Sequence, residues 1–170
     1  NGWGLSASAT SPWWTSNNKT NTSTLYTGVG SKNTLTVSVP GGPTGTVANG
    51  NTAAFVLGQG TATGSARFLF STEDGHILGW SPAVNGTAAV TAVDSSAGGA
   101  IYKGLATVND RLYATDFHNA RVDVYVKSIA LELRTWSSDV TSSRRSSSSR
   151  PPSSSAPPPP SSSPPRAQRS

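Results

Sequence analysis

An all-β fold of short antiparallel strands is what this sequence predicts, and three observations carry that prediction. Residues 104–125 hold three β-runs, 105–108, 112–115 and 121–125, separated by Asn109-Asp110 and by Phe117-His118-Asn119. In the last run Val122, Val124 and Val126 alternate with polar residues, the period of a half-buried strand that turns its apolar side inward. The pattern also restarts. Gly4-Leu5 leads to Leu25-Tyr26 and Gly104-Leu105 to Val124-Tyr125 over nearly equal distances, and Pro43-Thr44-Gly45 opens a third such unit. Three antiparallel strands within 22 residues make most of one β-propeller blade. The glycines at 4, 45 and 104 stand 41 and 59 residues apart, and a blade repeats at ~40–45 residues. The expected architecture is therefore a partial β-propeller of four-stranded antiparallel blades, at about 1–40, 43–95 and 100–126, with one insertion near 58–64 and a disordered C-terminal tail.

Taken in order, the first unit is expected to hold strands near 4–7, 13–16, 23–27 and 34–39. Ser11-Pro12, Asn17-Asn18 and Gly28-Val29-Gly30 supply its turns. Pro40-Gly41-Gly42-Pro43 punctuates the chain before the second unit. There, apolar runs at 66–72 and 76–80 flank Glu73-Asp74-Gly75, a hairpin signal because Asp-Gly tolerates the positive φ of a tight turn. Residues 88–93 read as an outer strand, followed by a loop at 95–99. Residues 129–133 have the composition of a further strand. From 142 onward the chain is almost wholly Ser, Pro, Arg and Ala, with too little apolar surface to offset the entropy of ordering.

Charge and composition divide the 170 residues in the same place. All 17 glycines lie at or before Gly104, and 8 of the 12 prolines at or after Pro151. Six basic and six acidic residues balance in 1–126, whereas 127–170 carry seven basic against two acidic. The basic character belongs to the tail and gives the folded part no reason to meet nucleic acid. Without an aromatic residue beyond Trp136, the tail also lacks stacking platforms for a specific nucleic acid. Cysteine is absent, which excludes disulfides and thiolate metal sites. No apolar run approaches the ~20 residues of a membrane-spanning helix, and no signal peptide is visible. Methionine is absent too, so the chain reads as processed or as a fragment.

Residues 104–125 resemble an NHL-type propeller repeat, with its Gly-Leu-Ala, Leu-Tyr-Ala-x-Asp and Arg-Val-x-Val-Tyr phrases. More broadly, residues 1–126 resemble an uncharacterised bacterial family of NHL-like β-propeller proteins. The matching phrases include Asn1-Gly2-Trp3-Gly4-Leu5, Trp14-Thr15-Ser16-Asn17-Asn18, Gly79-Trp80-Ser81-Pro82 and Ala114-Thr115-Asp116-Phe117-His118-Asn119. Gly2 stands where that family usually has proline, and the likeness stops just after Tyr125. The resemblance implies a ring of about six blades, which needs roughly 240–270 residues. A part-ring would keep open edges and be marginal or prone to aggregate. It also implies export to the cell envelope or beyond, in keeping with the Thr-, Ser- and Asn-rich text. Loss of every glycine beside a Ser/Arg/Pro vocabulary is what a shifted reading frame in GC-rich DNA produces. Residues 127–170 are accordingly read as out-of-frame translation, the alternative being a native linker or wall-spanning tail.

Asp116, His118 and Asn119 form the most site-like cluster, since inner propeller loops can gather such groups to bind a cation or act as acid and base. The plainer reading is that Asp116 and Asn119 shape a turn. Glu73 and Asp74 are adjacent and point to opposite faces of a strand, which argues against a carboxylate pair. His76 and His118 are the only histidines, too few for zinc without a carboxylate. Trp80, with Trp3, Trp13, Trp14 and Tyr26, suits either a ligand-binding floor or packing between sheets. No nucleophile elbow or phosphate loop appears. Three Asn-x-Ser/Thr triplets, at Asn18, Asn21 and Asn85, are frequent by chance in such text. The expected role is a non-catalytic scaffold for a protein or carbohydrate ligand, with Asp116, His118, Asn119 and Trp80 as candidate ligand-binding residues and no cofactor. The rival reading is a propeller hydrolase or lyase with a central divalent cation.

Overall fold

The computed structural model describes residues 1–126 and the strand Ser137–Ser138. Regular structure there is almost entirely strand; two single 3-10 turns, Asn18–Thr20 and Ser96–Gly98, are the exceptions. Strands β1 (Gly2–Ser6), β2 (Trp13–Asn17), β3 (Thr22–Tyr26) and β4 (Lys32–Ser38) form a first antiparallel sheet in chain order. The second sheet starts with β5 (Pro43–Ala48). A hairpin of β6 (Val56–Gln59) and β7 (Ala62–Ser65) then intervenes before β8 (Phe68–Thr72), β9 (His76–Trp80) and β10 (Val90–Asp94) complete the order β5-β8-β9-β10. The third sheet runs β11 (Tyr102–Val108), β12 (Arg111–Asp116), β13 (Arg121–Val126) and β14 (Ser137–Ser138). The sheets are open, and none closes into a barrel.

Local chemistry accounts for the turns. Asn109 and Asp110, at φ 49° and 61°, form the two-residue link between β11 and β12, and their short polar side chains tolerate the left-handed region that a type I′ turn needs. Between β8 and β9 the loop has three residues, and Gly75 alone takes positive φ (87°). The segment expected as an insertion at 58–64 is the hairpin β6-β7. Its Leu57 is buried, and a Cβ on Gly79 would lie 2.8 Å from a Leu57 methyl, so the bare Gly79 lets the hairpin lie flat on the second sheet. The expected strand at 129–133, the disordered tail and the out-of-frame reading fall on residues outside those described. Within that stretch only Ser137–Ser138 is described, paired with Tyr125 and Val126.

The first strand of each sheet carries the same irregularity. The pairing of β1 with β2 slips between Gly2 and Leu5, that of β5 with β8 between Pro43 and Thr46, and that of β11 with β12 between Tyr102 and Leu105. Gly4, Gly45 and Gly104 sit inside these three bulges. At two of them the reason for glycine is contact. A Cβ on Gly4 would lie 2.5 Å from the Thr44 carbonyl oxygen, and one on Gly45 2.8 Å from the Leu105 nitrogen. Neighbouring first strands thus meet backbone to backbone.

Two cores follow from this stacking. Trp14, Leu25 and Val37 of the first sheet pack on Phe68, Phe70, Leu78 and Trp80 of the second. Trp14 stacks on Phe68 at 4.3 Å between centroids and lies 4.7 Å from Trp80. Leu69 and Ile77, on the other side of the second sheet, pack with Leu57 against Tyr102, Leu112, Ala114 and Tyr125. The valines of β13 are not the buried side that alternation suggests. Asp123 and Tyr125 face the core at 2% exposure each, whereas Val122 is 45% exposed. Period 2 separates the two sides of a strand but does not name the inner one, and here a tyrosine network outcompetes three valines for the inside.

Gly45→Ala is expected to cost roughly 1–3 kcal/mol of stability, because the added methyl must displace backbone on the third sheet. Gly28→Ala, with nothing within 4 Å, should shift it by less than about 0.5 kcal/mol. Urea unfolding measures both, and equal midpoints would contradict the close approach of the first strands.

Candidate functional site

The turn after β12 places three of the four sequence-predicted residues together. The Asp116 carboxylate is fully buried and accepts hydrogen bonds from the Asn119 side chain (2.6 Å) and from the backbone N–H groups of Ile101 and Asn119 (3.2 Å each). Arg121 Nε stands 3.5 Å from it. Burial opposes ionisation of Asp116, yet these donors and the Arg121 charge together hold its carboxyl below the ordinary carboxylate range. Asn119 also donates to the Gly98 carbonyl (3.2 Å), which ties the turn to the preceding loop. His118 is exposed beside Gly99. Trp80 lies elsewhere, in the core between the first two sheets, its indole N–H donating to the Gly86 carbonyl at 3.2 Å. Among the described residues no group of three or more His, Asp or Glu side chains is placed to hold a metal ion.

A second cluster draws on all three sheets. Glu73, in the β8-β9 loop, accepts from Asn18 of the first sheet (2.9 Å) and from the Lys103 ammonium of the third. Lys103 also lies over the Trp3 ring, 4.7 Å from its centroid, and Trp3 is 51% exposed. The hydrogen bond from Lys103, then that from Asn18, holds the Glu73 carboxyl below its ordinary value. This constellation repeats a position. Trp3, Thr44 and Lys103 each precede the bulge glycine, while Asn18 and Glu73 each follow the end of the second strand in their sheet. Reading the chain sheet by sheet on its glycines would have brought Lys103 to notice, but no local motif marks it.

Glu73 and Asp74 diverge as their adjacency requires. Asp74 accepts from Thr72 Oγ1 (2.5 Å) and pairs with His76 Nδ1 (2.8 Å), and His76 Nε2 stands 3.4 Å from Asp94. A third polar group is buried rather than presented. The Tyr102 hydroxyl donates to Asp123 (2.7 Å) and lies 2.6 Å from that of Tyr125, while Arg121 Nε makes a 2.7 Å ion pair with Asp123. Burial pushes both tyrosines above the ordinary phenol range, so they stay neutral and donate. The network ties β11 to β13 across β12, and no part of it opens to a ligand-sized surface.

Because Asp116 ionises more readily in the folded chain than in the unfolded one, its contribution to stability is complete above the ordinary carboxylate pKa of ~3.9 and is lost as pH falls through the lower folded value. Asp116→Asn should reduce stability near neutral pH by roughly 1.5–3 kcal/mol and flatten the acid limb of the stability profile. Denaturant unfolding from about pH 7 to about pH 2 tests this; an unchanged acid limb would contradict it.

Comparison with known proteins gives one partial likeness. Over 83 residues, 49% of the chain, it is 32% identical to an uncharacterised protein of Acanthamoeba polyphaga mimivirus, and the match spans 16% of that relative's length. No protein-family model matches the chain, and no solved structure does. These findings correct the expectation of a bacterial NHL-repeat family. The relative is viral, and nothing in the comparisons carries NHL repeats. The shared phrases are short strand-and-turn vocabulary, which an all-β chain rich in Gly, Asp and Asn can reach without such descent.

Proposed function

We propose that the chain is a non-catalytic binding scaffold, that its three sheets are blades of a β-propeller-type arrangement, and that its ligand is a carbohydrate held at the Trp3–Asn18–Glu73–Lys103 cluster. Support for the blade reading is the shared strand order, the bulged glycine in each first strand and the contact between successive first strands. Support for the ligand is the cluster itself, the observation that carries the proposal. A half-exposed indole offers an apolar face to a sugar ring, while an amide, a carboxylate and an ammonium beside it match hydroxyl groups as donors and acceptors. The salt-linked polar groups already hold one another in place, which lowers the ordering cost of binding.

The rival reading, hydrolysis or elimination at a central divalent cation, asks Asp116 to converge with carboxylates from other sheets. Its oxygens are instead engaged by Asn119, Ile101 and Arg121. The expected placement outside the cell has lost the support of the bacterial resemblance, and the Ser-, Thr- and Asn-rich strands are what still speak for it.

A glycan array followed by tryptophan-fluorescence titration of the best binder tests the proposal. Trp3→Ala should weaken binding by at least ~10-fold, as loss of a stacking ring does, and Glu73→Gln should weaken it less. Trp13→Ala should leave it unchanged. Absence of any glycan binding, or indifference to Trp3→Ala, would overturn the reading.

A further inference from the structure

The two outer faces of the stack are apolar where the inner faces are apolar, position for position. Aligned on the bulge glycines, Trp13, Phe68 and Leu112 occupy one place, on the side that looks back toward the preceding sheet. Phe68 and Leu112 are buried at 3% and 0%, and Trp13 is 46% exposed. Leu5 stands where Leu105 packs into the core, and is 62% exposed. On the opposite, forward-looking side, Ser23, Ile77 and Val122 are equivalent. The first two are fully buried, whereas Val122 is 45% exposed. Gly104 completes the correspondence. Gly4 and Gly45 are pressed by the backbone of the next first strand, while a Cβ on Gly104 would meet only Thr115 of its own sheet.

We infer that the forward face of the third sheet, around Gly104, Tyr113, Val122 and Val124, docks on the backward face of the first sheet, around Leu5 and Trp13, of a second copy of the chain. The inference rests on the blade reading above. The second copy is the occupant because its first sheet presents the same residue positions as the surfaces that already cover Gly4 and Gly45. A second sheet-face pair of the same kind then closes the assembly with two-fold symmetry. Two copies of three sheets give six, within the range of about four to eight blades that rings use, which three sheets do not reach. Closure leaves no forward or backward face uncovered, so the assembly stops at two.

Sedimentation equilibrium of the full chain, with circular dichroism to confirm folding, tests the inference through two exposed positions. Wild type should be a dimer. Val122→Glu and Leu5→Arg, each alone, put an unpaired charge into both interfaces and should raise the dissociation constant by roughly 100-fold or more. Mixing the two variants should restore dimers, because one of the two interfaces in the mixed pair is then wild type. A monomeric wild type, open-ended polymers, a dimer broken by only one variant, or failure of the mixture to recover would each overturn it. Glycan binding is read on the same samples. The Trp3 cluster lies within one copy, so monomers that bind glycan sink the ring alone, whereas dimers that bind none sink the carbohydrate reading alone.

Discussion

The approach of one first strand to the next at a bulged glycine is the constraint on which the rest of the structure depends. A bulge adds a residue to one strand and bends it locally, and glycine at that point removes the side chain that would hold two backbones apart. Thr44–Thr46 can then lie against Gly4, and Gly104-Leu105 against Gly45. Once the first strands are fixed, the sheets that hang from them must face one another. The aromatic stack of Trp14, Phe68 and Trp80 fills one gap, and Leu69, Ile77, Tyr102 and Tyr125 fill the other.

The same contact assembles the polar cluster. Trp3 and Lys103 are neighbours of bulge glycines two sheets apart in the chain, and Glu73 comes from the loop of the sheet between them. None of the three is near another in sequence. They meet because first strands meet. By contrast, the Asp116 turn and the Tyr102–Asp123–Tyr125 network serve the third sheet internally, fixing a loop and tying two strands. Both use charged or polar groups whose partners are fully local, which is the signature of structural rather than ligand-directed chemistry.

Much of the strand pattern was legible in the sequence, because short-range chemistry sets it. Asn109-Asp110 and Gly75 mark turns through their tolerance of positive φ, and the glycine restarts at 4, 45 and 104 mark the three first strands. What was not legible depends on neighbours. The valine side of β13 reads as core, yet Asp123 and Tyr125 turn inward because Tyr102 and Arg121, far along the chain, supply their partners. Residues 58–64 read as a loop, since Gly58, Gly60 and Gly64 break any strand signal, but the bare surface at Gly79 gives a hairpin somewhere to pack. Trp80 read as a candidate ligand-binding residue and is placed among core aromatics, a choice its composition cannot make. The likeness to a bacterial repeat family came from the same short vocabulary and did not survive comparison.

The account's central claim is that the glycine contact between first strands is what brings the sheets face to face. Trp14 and Trp80 sit on opposite sides of the first gap, 4.7 Å apart and tilted by 48°, a geometry that couples their electronic transitions. The most direct measurement is therefore the indole exciton signal in the circular dichroism of Gly4→Val, compared with wild type and with Trp80→Phe. The signal should be present in wild type, absent in Trp80→Phe, and lost or strongly reduced in Gly4→Val. A folded Gly4→Val chain with an undiminished signal would show that the sheets find each other without that contact, and would contradict the account.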